Sequence, residues 1–306
     1  MCDRCGKPWS SCHCDGHGWK FFGEYLLLQP RGADPVFALR SPSCDATGFN
    51  PPTGSEQVDF GFQSGFRVGF EKEVRDGLST IGANFMHFEA NESQRANPTV
   101  GGGVLVPIVA FDPTATCDAS TSALAAAKAS INFDRVSLDY KRYIECGDCK
   151  FDWLVGFAYG QLTQDLKARF DADRVDVDTG TWGYGLHLGG GLEYGLGCFR
   201  GFGHVDLSLL ASNIEADYQQ TNAFTGRVAH FDQSLDRLIP VLDLELGVAV
   251  DLCRNTVVKV GYLYSIWFNV VTTPEFIDAV QATNVDGSLS ETLTFDGLFV
   301  RFEYTW

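Results

Sequence analysis

Nowhere in the 306 residues do eighteen apolar residues run without a charge, so a transmembrane helix is excluded as the crossing element and only strands are left for that role. Methionine is nearly absent, with 2 residues, and cations are few: 23 Lys and Arg stand against 39 Asp and Glu. The resulting formal charge of -16 sets nucleic acid aside as a partner, because a phosphate backbone is bound by basic surfaces. No Gly-x-Ser-x-Gly elbow and no phosphate-binding loop occurs either. A secretory leader is also missing, since Met1 runs straight into CDRCGKPWSSCHC with no basic start or apolar centre. An envelope protein needs such a leader, so the expectation is a mature form with an added Met.

What is abundant is Phe, at 24, and Gly, at 33. Both are used heavily by barrel strands and their aromatic girdles. The stretch VDFGFQSGFRVGFEKEV, Val58 to Val74, shows how they are arranged. Alternate positions Val58, Phe60, Phe62, Phe66, Val68 and Phe70 are large and apolar, whereas Asp59, Gly61, Gln63, Gly65, Arg67, Gly69 and Glu71 between them are small or charged. A period of two is a strand. One face offers nothing that could fill a soluble core, which suits a wall between lipid and a polar lumen. At ~3.3 Å per residue and a tilt of ~40°, about thirteen such residues rise roughly 30 Å, enough to cross a bilayer's hydrocarbon.

The same alternation recurs in Trp19–Gln29, Ile131–Ile144, Phe151–Leu162, Thr181–Leu196, Gly201–Asn213, Leu238–Leu252, Thr256–Val271 and Leu293–Trp306, and more weakly in Leu78–Ala90. The expected fold is therefore all-β: a transmembrane antiparallel up-and-down barrel of about ten strands over residues 19–306, preceded by a Cys-rich periplasmic segment, 1–18. Connections alternate long and short, and the expected long loops are 30–56, 91–129, the acid-rich DADRVDVD stretch, 214–234 and the residues up to Glu291. The Ala-rich Ser122–Ala129 is read as one or two helical turns. Long loops would lie outside the cell and tight turns at the periplasmic rim.

Several pieces carry a family likeness: Gly23-Glu24-Tyr25-Leu26, Ser64-Gly65-Phe66-Arg67-Val68-Gly69, Gly189-Gly190-Gly191-Leu192-Glu193-Tyr194, Val260-Gly261-Tyr262 and the closing FDGLFVRFEYTW. With these the chain resembles the pore-forming outer-membrane proteins typified by the Legionella major outer membrane protein, and particularly their planctomycete members. The resemblance implies a porin-like or structural role in a bacterial outer membrane, and it supplies no catalytic residues. The Cys-rich head is a departure from it.

The inward faces would carry Lys20, Glu24, Asp59, Arg67, Glu71, Arg135, Asp139, Lys141, His187, Glu193, His204, Asp206, Asp243, Glu245, Asp251, Lys259, Arg301 and Glu303, ten acids against six bases and two His. Two readings are open: ion pairs that stiffen the wall and fill the bore, or a narrow pore whose acid excess favours cations. Trp182, Tyr184, Tyr194, Tyr262, Tyr264, Phe268, Tyr304 and Trp306 would form the interfacial belt. Cys44 and Cys117 fall in outer loops, while Cys146, Cys149, Cys198 and Cys253 fall at the periplasmic rim, so disulfides are expected in this oxidising compartment, Cys44 to Cys117 among them. For Cys2, Cys5, Cys12 and Cys14, with His13 and His17 nearby, a zinc site is the alternative to disulfides.

No cofactor is expected. Lipid and small ions or solutes are the expected partners, with self-association or an envelope partner at the head. Three other classes compete with a pore: a closed barrel that mounts binding loops, a soluble ligand-binding barrel, and an omptin-like protease using His230 and Asp232 in the fourth outer loop. No protease motif surrounds that last pair.

Overall fold

The computed structural model describes all residues except 1–17, 43, 46–47, 50–51, 75–76, 98–102, 112–123, 197–198, 254 and 284–288. In chain order its elements are β1 (Trp19–Arg31), β2 (Val36–Ser41), β3 (Cys44–Asp45), β4 (Gly48–Phe49), β5 (Gly54–Gln57), β6 (Gln63–Glu73), β7 (Ser79–Ala96), β8 (Val104–Pro107), β9 (Ala125–Cys146), β10 (Cys149–Phe170), β11 (Asp173–Leu196), β12 (Phe199–Asn222), β13 (Gly226–Cys253), β14 (Thr256–Val270), helix α1 (Thr273–Gln281) and β15 (Glu291–Thr305). Ten of these strands close a barrel in the order β1-β15-β14-β13-β12-β11-β10-β9-β7-β6. Every pairing is antiparallel, and β1 seals the ring by pairing with both β6 and β15. Strands β5, β2 and β8 make a separate small sheet, and β3 pairs only with β4.

The faces divide as the alternation predicts through the half of the barrel nearest the short turns. On β10, Phe151, Trp153, Val155, Phe157 and Tyr159 are exposed while Leu154 and Ala158 are buried. On β6, Phe66, Val68 and Phe70 point out and Arg67 points in, and Phe62 just before the strand is exposed as well. A soluble barrel would bury the aromatic set, so this band faces lipid. Chain N-terminal to β6 departs from the prediction: Val58 and Phe60 are buried and Asp59 is exposed, because residues 58–62 precede the strand. Asp59 is therefore no lumen residue. The Phe60 amide donates to Asp34 Oδ1 (3.0 Å), which fixes this approach to the wall.

The strands are longer than the sequence suggests, and the expected outer loops shrink accordingly. The Ala-rich stretch is strand rather than helix: Ala125, Ala127 and Ala129 are buried in β9, between β7 and β10. DADRVDVD is mostly the start of β11, and 214–234 is a hairpin between β12 and β13. In these extensions the same side still faces in, but the chemistry of the two sides is exchanged. Beyond Tyr159 the outward residues of β10 are Gln161, Thr163, Asp165, Lys167 and Arg169, and the inward ones include Leu162, Leu166, Ala168 and Phe170, all buried. Water has replaced lipid outside, and a packed core has replaced the polar lumen inside.

The outward apolar band implies a direct stability test. Leu138 is 59% exposed in the middle of that band on β9. Leu138→Arg should destabilise the barrel by about 2–4 kcal/mol, the cost of a cation near the bilayer midplane. Urea titration of refolding into lipid vesicles reads it, and a loss below ~0.5 kcal/mol would mean that Leu138 does not face hydrocarbon.

Candidate functional site

Inward positions of the lipid-level half bring together nearly all the charged residues expected in the lumen. Arg67 Nη2 donates to Glu24 Oε1 at 2.6 Å and also to Glu245 Oε1. Arg301 bonds Glu24 and, at 2.9 Å, Glu245 Oε2. Strands β6 and β13 are four places apart around the ring, so the Arg67–Glu245 bond spans the bore. Arg135 and Asp243 do the same from β9 to β13, at 2.5 Å. All six of these side chains are shielded from solvent, and the pairing is what makes ionised groups tolerable there.

Nearer the turn end a second tier is looser. Lys20 and Lys141 share Glu71 (3.5 and 3.3 Å), and Lys259 joins Glu193 (2.9 Å) to Glu303 (3.2 Å). His187 is hydrogen-bonded through Nδ1 to Asp139 at 2.6 Å, and His204 through Nε2 to Asp206 at 2.9 Å. A cavity of about 270 Å³ lies among these groups. Arg200, read from sequence as a turn residue, is buried and bonds Glu193 (3.1 Å) and Asp251 (2.7 Å) at the rim. Among the described residues no cluster of three or more ligating side chains could hold a metal.

Above the ion pairs the bore is crossed by rings. Phe133 on β9 meets Trp267 on β14 with centroids 6.1 Å apart, and these strands are diametrically opposed in the ring of ten. Phe295 lies 4.7 Å from Phe133 and 5.5 Å from Phe88, and all four side chains are essentially inaccessible. Gly160 on β10 makes room for the indole, since a Cβ there would sit 3.1 Å from its tip. Helix α1 caps this layer. Its N-cap Thr272 side chain accepts from the Glu275 amide, Pro274 starts the first turn, and Phe276, Ile277 and Val280 are buried. Gln164 Nε2 holds Val271 O at 3.1 Å. From the β7–β9 connection, Val109 O accepts from Tyr218 Oη (2.8 Å) and the Phe111 amide donates to the same hydroxyl (2.9 Å).

Sequence reading missed this seal. Its trace was present in the inward side of β14, where Leu263 and Trp267 alternate with outward Tyr262 and Tyr264. The expected aromatic belt is otherwise where it was placed: Trp182, Tyr184, Tyr194, Tyr262, Tyr264, Tyr304 and Trp306 are exposed, and Phe268 is half-buried. The cysteine expectations fare less well. Cys146 and Cys149 are partners across a hairpin yet are free thiols, so no bridge joins them. The side chains of Cys44 and Cys253, and all of Cys2, Cys5, Cys12, Cys14, Cys117 and Cys198, lie outside the described residues.

On the outer wall of the extensions, Asp165, Asp178, Asp217 and Asp232 form one register row across β10–β13. His230 Nδ1 is 3.4 Å from Asp217 Oδ2 and its Nε2 3.9 Å from Asp232 Oδ1, on the wall's outer face rather than in an enclosed groove. A hydrogen bond with Asp165, helped by partial burial and that neighbour's charge, pushes the Asp178 carboxyl up to about 7.

A closed ring of ten antiparallel strands, lipid-facing aromatics outside and a paired-charge lumen within define a transmembrane outer-membrane β-barrel. Residues 11–306 match the family described as Legionella pneumophila major outer membrane protein precursor, and the chain belongs to that family. Among solved structures it is similar to the outer membrane protease OmpT from Escherichia coli, at 9% identity and a TM-score of 0.55, covering 97% of this chain and 100% of that one. It is also similar to the translocator domain of the autotransporter NalP from Neisseria meningitidis, at 11% identity and a TM-score of 0.37, covering 95% and 90%. At 9% identity the likeness to OmpT concerns the fold alone. No curated protein matches the chain.

Two measurements test the site. Asp243→Ala, which strands Arg135 in the bore, should cost about 3–5 kcal/mol of unfolding free energy by urea titration, whereas Arg135→Met with Asp243→Leu should restore most of it. Equal losses in both would show that packing rather than charge governs the position. For Asp178, a raised folded value means that its contribution is complete below the unfolded carboxyl range near pH 4 and is lost as pH rises through about 7. The protection of the β10–β11 hairpin against hydrogen exchange, taken relative to the intrinsic exchange rate at each pH, should therefore fall between pH 4 and 7, and Asp178→Asn should flatten that dependence.

Proposed function

We propose that this protein is a closed outer-membrane barrel that works as a structural or binding surface protein rather than as a standing pore. The observation that carries this reading is the Phe133–Trp267 contact between opposed strands, which leaves no width for a hydrated ion at that level. The small sheet and α1 add a second cover on the outer side. A narrow gated pore is the second reading; the family likeness and the 270 Å³ cavity favour it, and α1 and the ring layer would then both have to move. Catalysis has little support here: His230 and Asp232 stand on an open outer wall, and the interior behind them is packed with buried side chains such as Ala216, Tyr218 and Ala229. Outer-membrane lipid is the principal partner. We assign residues 1–18 to the periplasm as a Cys-rich segment that contacts an envelope partner or a second copy.

Planar bilayers distinguish the readings. The purified barrel should give no sustained ion steps in 1 M salt, and deleting 273–281 alone should leave it silent because the rings remain. Stable, uniform steps from the unaltered protein would overturn the closed-barrel reading, and if they shrank with Glu245→Gln or Asp243→Asn the lumen charges would be shown to line the path.

A further inference from the structure

Among the described residues the outer wall carries a cationic patch, in a chain of formal charge -16. In register across β7, β9, β10 and β11, one row reads Arg95, Ala126, Arg169, Arg174 and the next Ser93, Lys128, Lys167, Asp176. Arg95, Lys128, Lys167, Arg169 and Arg174 are all exposed, with buried Ala125, Ala127, Ala168 and Val175 behind them. Arg174 is held by Asp176 at 2.8 Å. Among the described residues the other four make no salt bridge. Lys128 stands directly opposite Lys167, and Arg169 directly opposite Arg174. Like charges so placed are destabilising in a sheet. Folding alone gives no reason for two such pairs side by side in a protein of charge -16.

Height decides what could neutralise them. Tyr159 is the last outward apolar residue of β10, and Lys167 is eight residues further along, roughly 20 Å above the hydrocarbon edge. A phospholipid headgroup layer is only about 5–8 Å deep. A membrane-anchored anion at this level has to be carried on a longer, saccharide headgroup. We propose that Arg95, Lys128, Lys167 and Arg169 bind the phosphorylated saccharide of an outer-leaflet glycolipid lying against the β7–β11 wall. Flat, exposed guanidinium and ammonium groups suit phosphate oxygens, and the small Ser93 and Ala126 between them leave the sugar room to approach.

The test uses the detergent-purified full chain and bacterial lipopolysaccharide with a phosphorylated core, followed by native mass spectrometry. Lys128→Glu with Lys167→Glu and Arg169→Glu should weaken binding at least tenfold, and core-dephosphorylated lipid should bind the unaltered protein equally poorly. Arg227→Glu, one substitution of the same kind placed at the β12–β13 tip, should bind like the unaltered protein. If the triple variant does not fold, judged by heat-modifiable gel mobility, Lys128→Gln with Lys167→Gln should still show a several-fold loss. Undiminished binding by the variants, equal binding of dephosphorylated lipid, or an equal loss in Arg227→Glu would overturn the proposal, as would patch-dependent binding of soluble heparin alone.

Discussion

The constraint on which everything else rests is that a strand presents alternate residues to opposite sides for its whole length, while the surroundings change along that length. Beside lipid, the outside must be apolar and the inside is left to charge. Above lipid, the outside is wet and the inside can be core. A ring of ten strands is too narrow for a wide channel, so whatever points inward has to meet something from the far wall. Arg67 meets Glu245, Arg135 meets Asp243, and Phe133 meets Trp267. Ion pairs and ring contacts are thus two solutions to one crowding problem, used at different heights.

How much of this could be read from the chain depended on which height was being read. Within the lipid-level half, the runs around Phe66, Trp153 and Leu186 alternate so cleanly that faces, strand number and most lumen charges follow from period two alone. At the outer half the period persists but its meaning reverses. Asp176 and Asp178 flanking Val175 and Val177 look like an acid loop if apolar is taken to mean outside, and like a strand if it is not. The Ala-rich start of β9 misled for a related reason: alanine favours helix in isolation, but pairing to both neighbours and small-volume packing decided the matter. Asp59 failed because alternation was carried past the true start of β6. The ring seal and α1 were not legible, since each depends on which strands end up opposite one another.

The charge layers and the apolar plug also divide the labour of stability. Buried ion pairs contribute little net stability but penalise any arrangement that separates them, which ties opposed strands in register. Ring packing and α1 supply apolar contact without that penalty. The cavity lies on the charged side of the seal, lined by the ion-pair tiers and by none of the four rings.

Strand β13 has 28 residues and β6 has 11, so the barrel's rim is slanted, and the tall β9–β13 side provides the surface against which α1 and the β7–β9 connection lean. The inner surface of that tall side is committed to its contents, residue by residue. Among the described residues, its outer surface is largely exposed. Outside the cationic patch, such a parapet could accept wholesale changes in appearance to the world beyond the cell, as evasion of antibodies or phage demands, while the masonry behind it stayed the same.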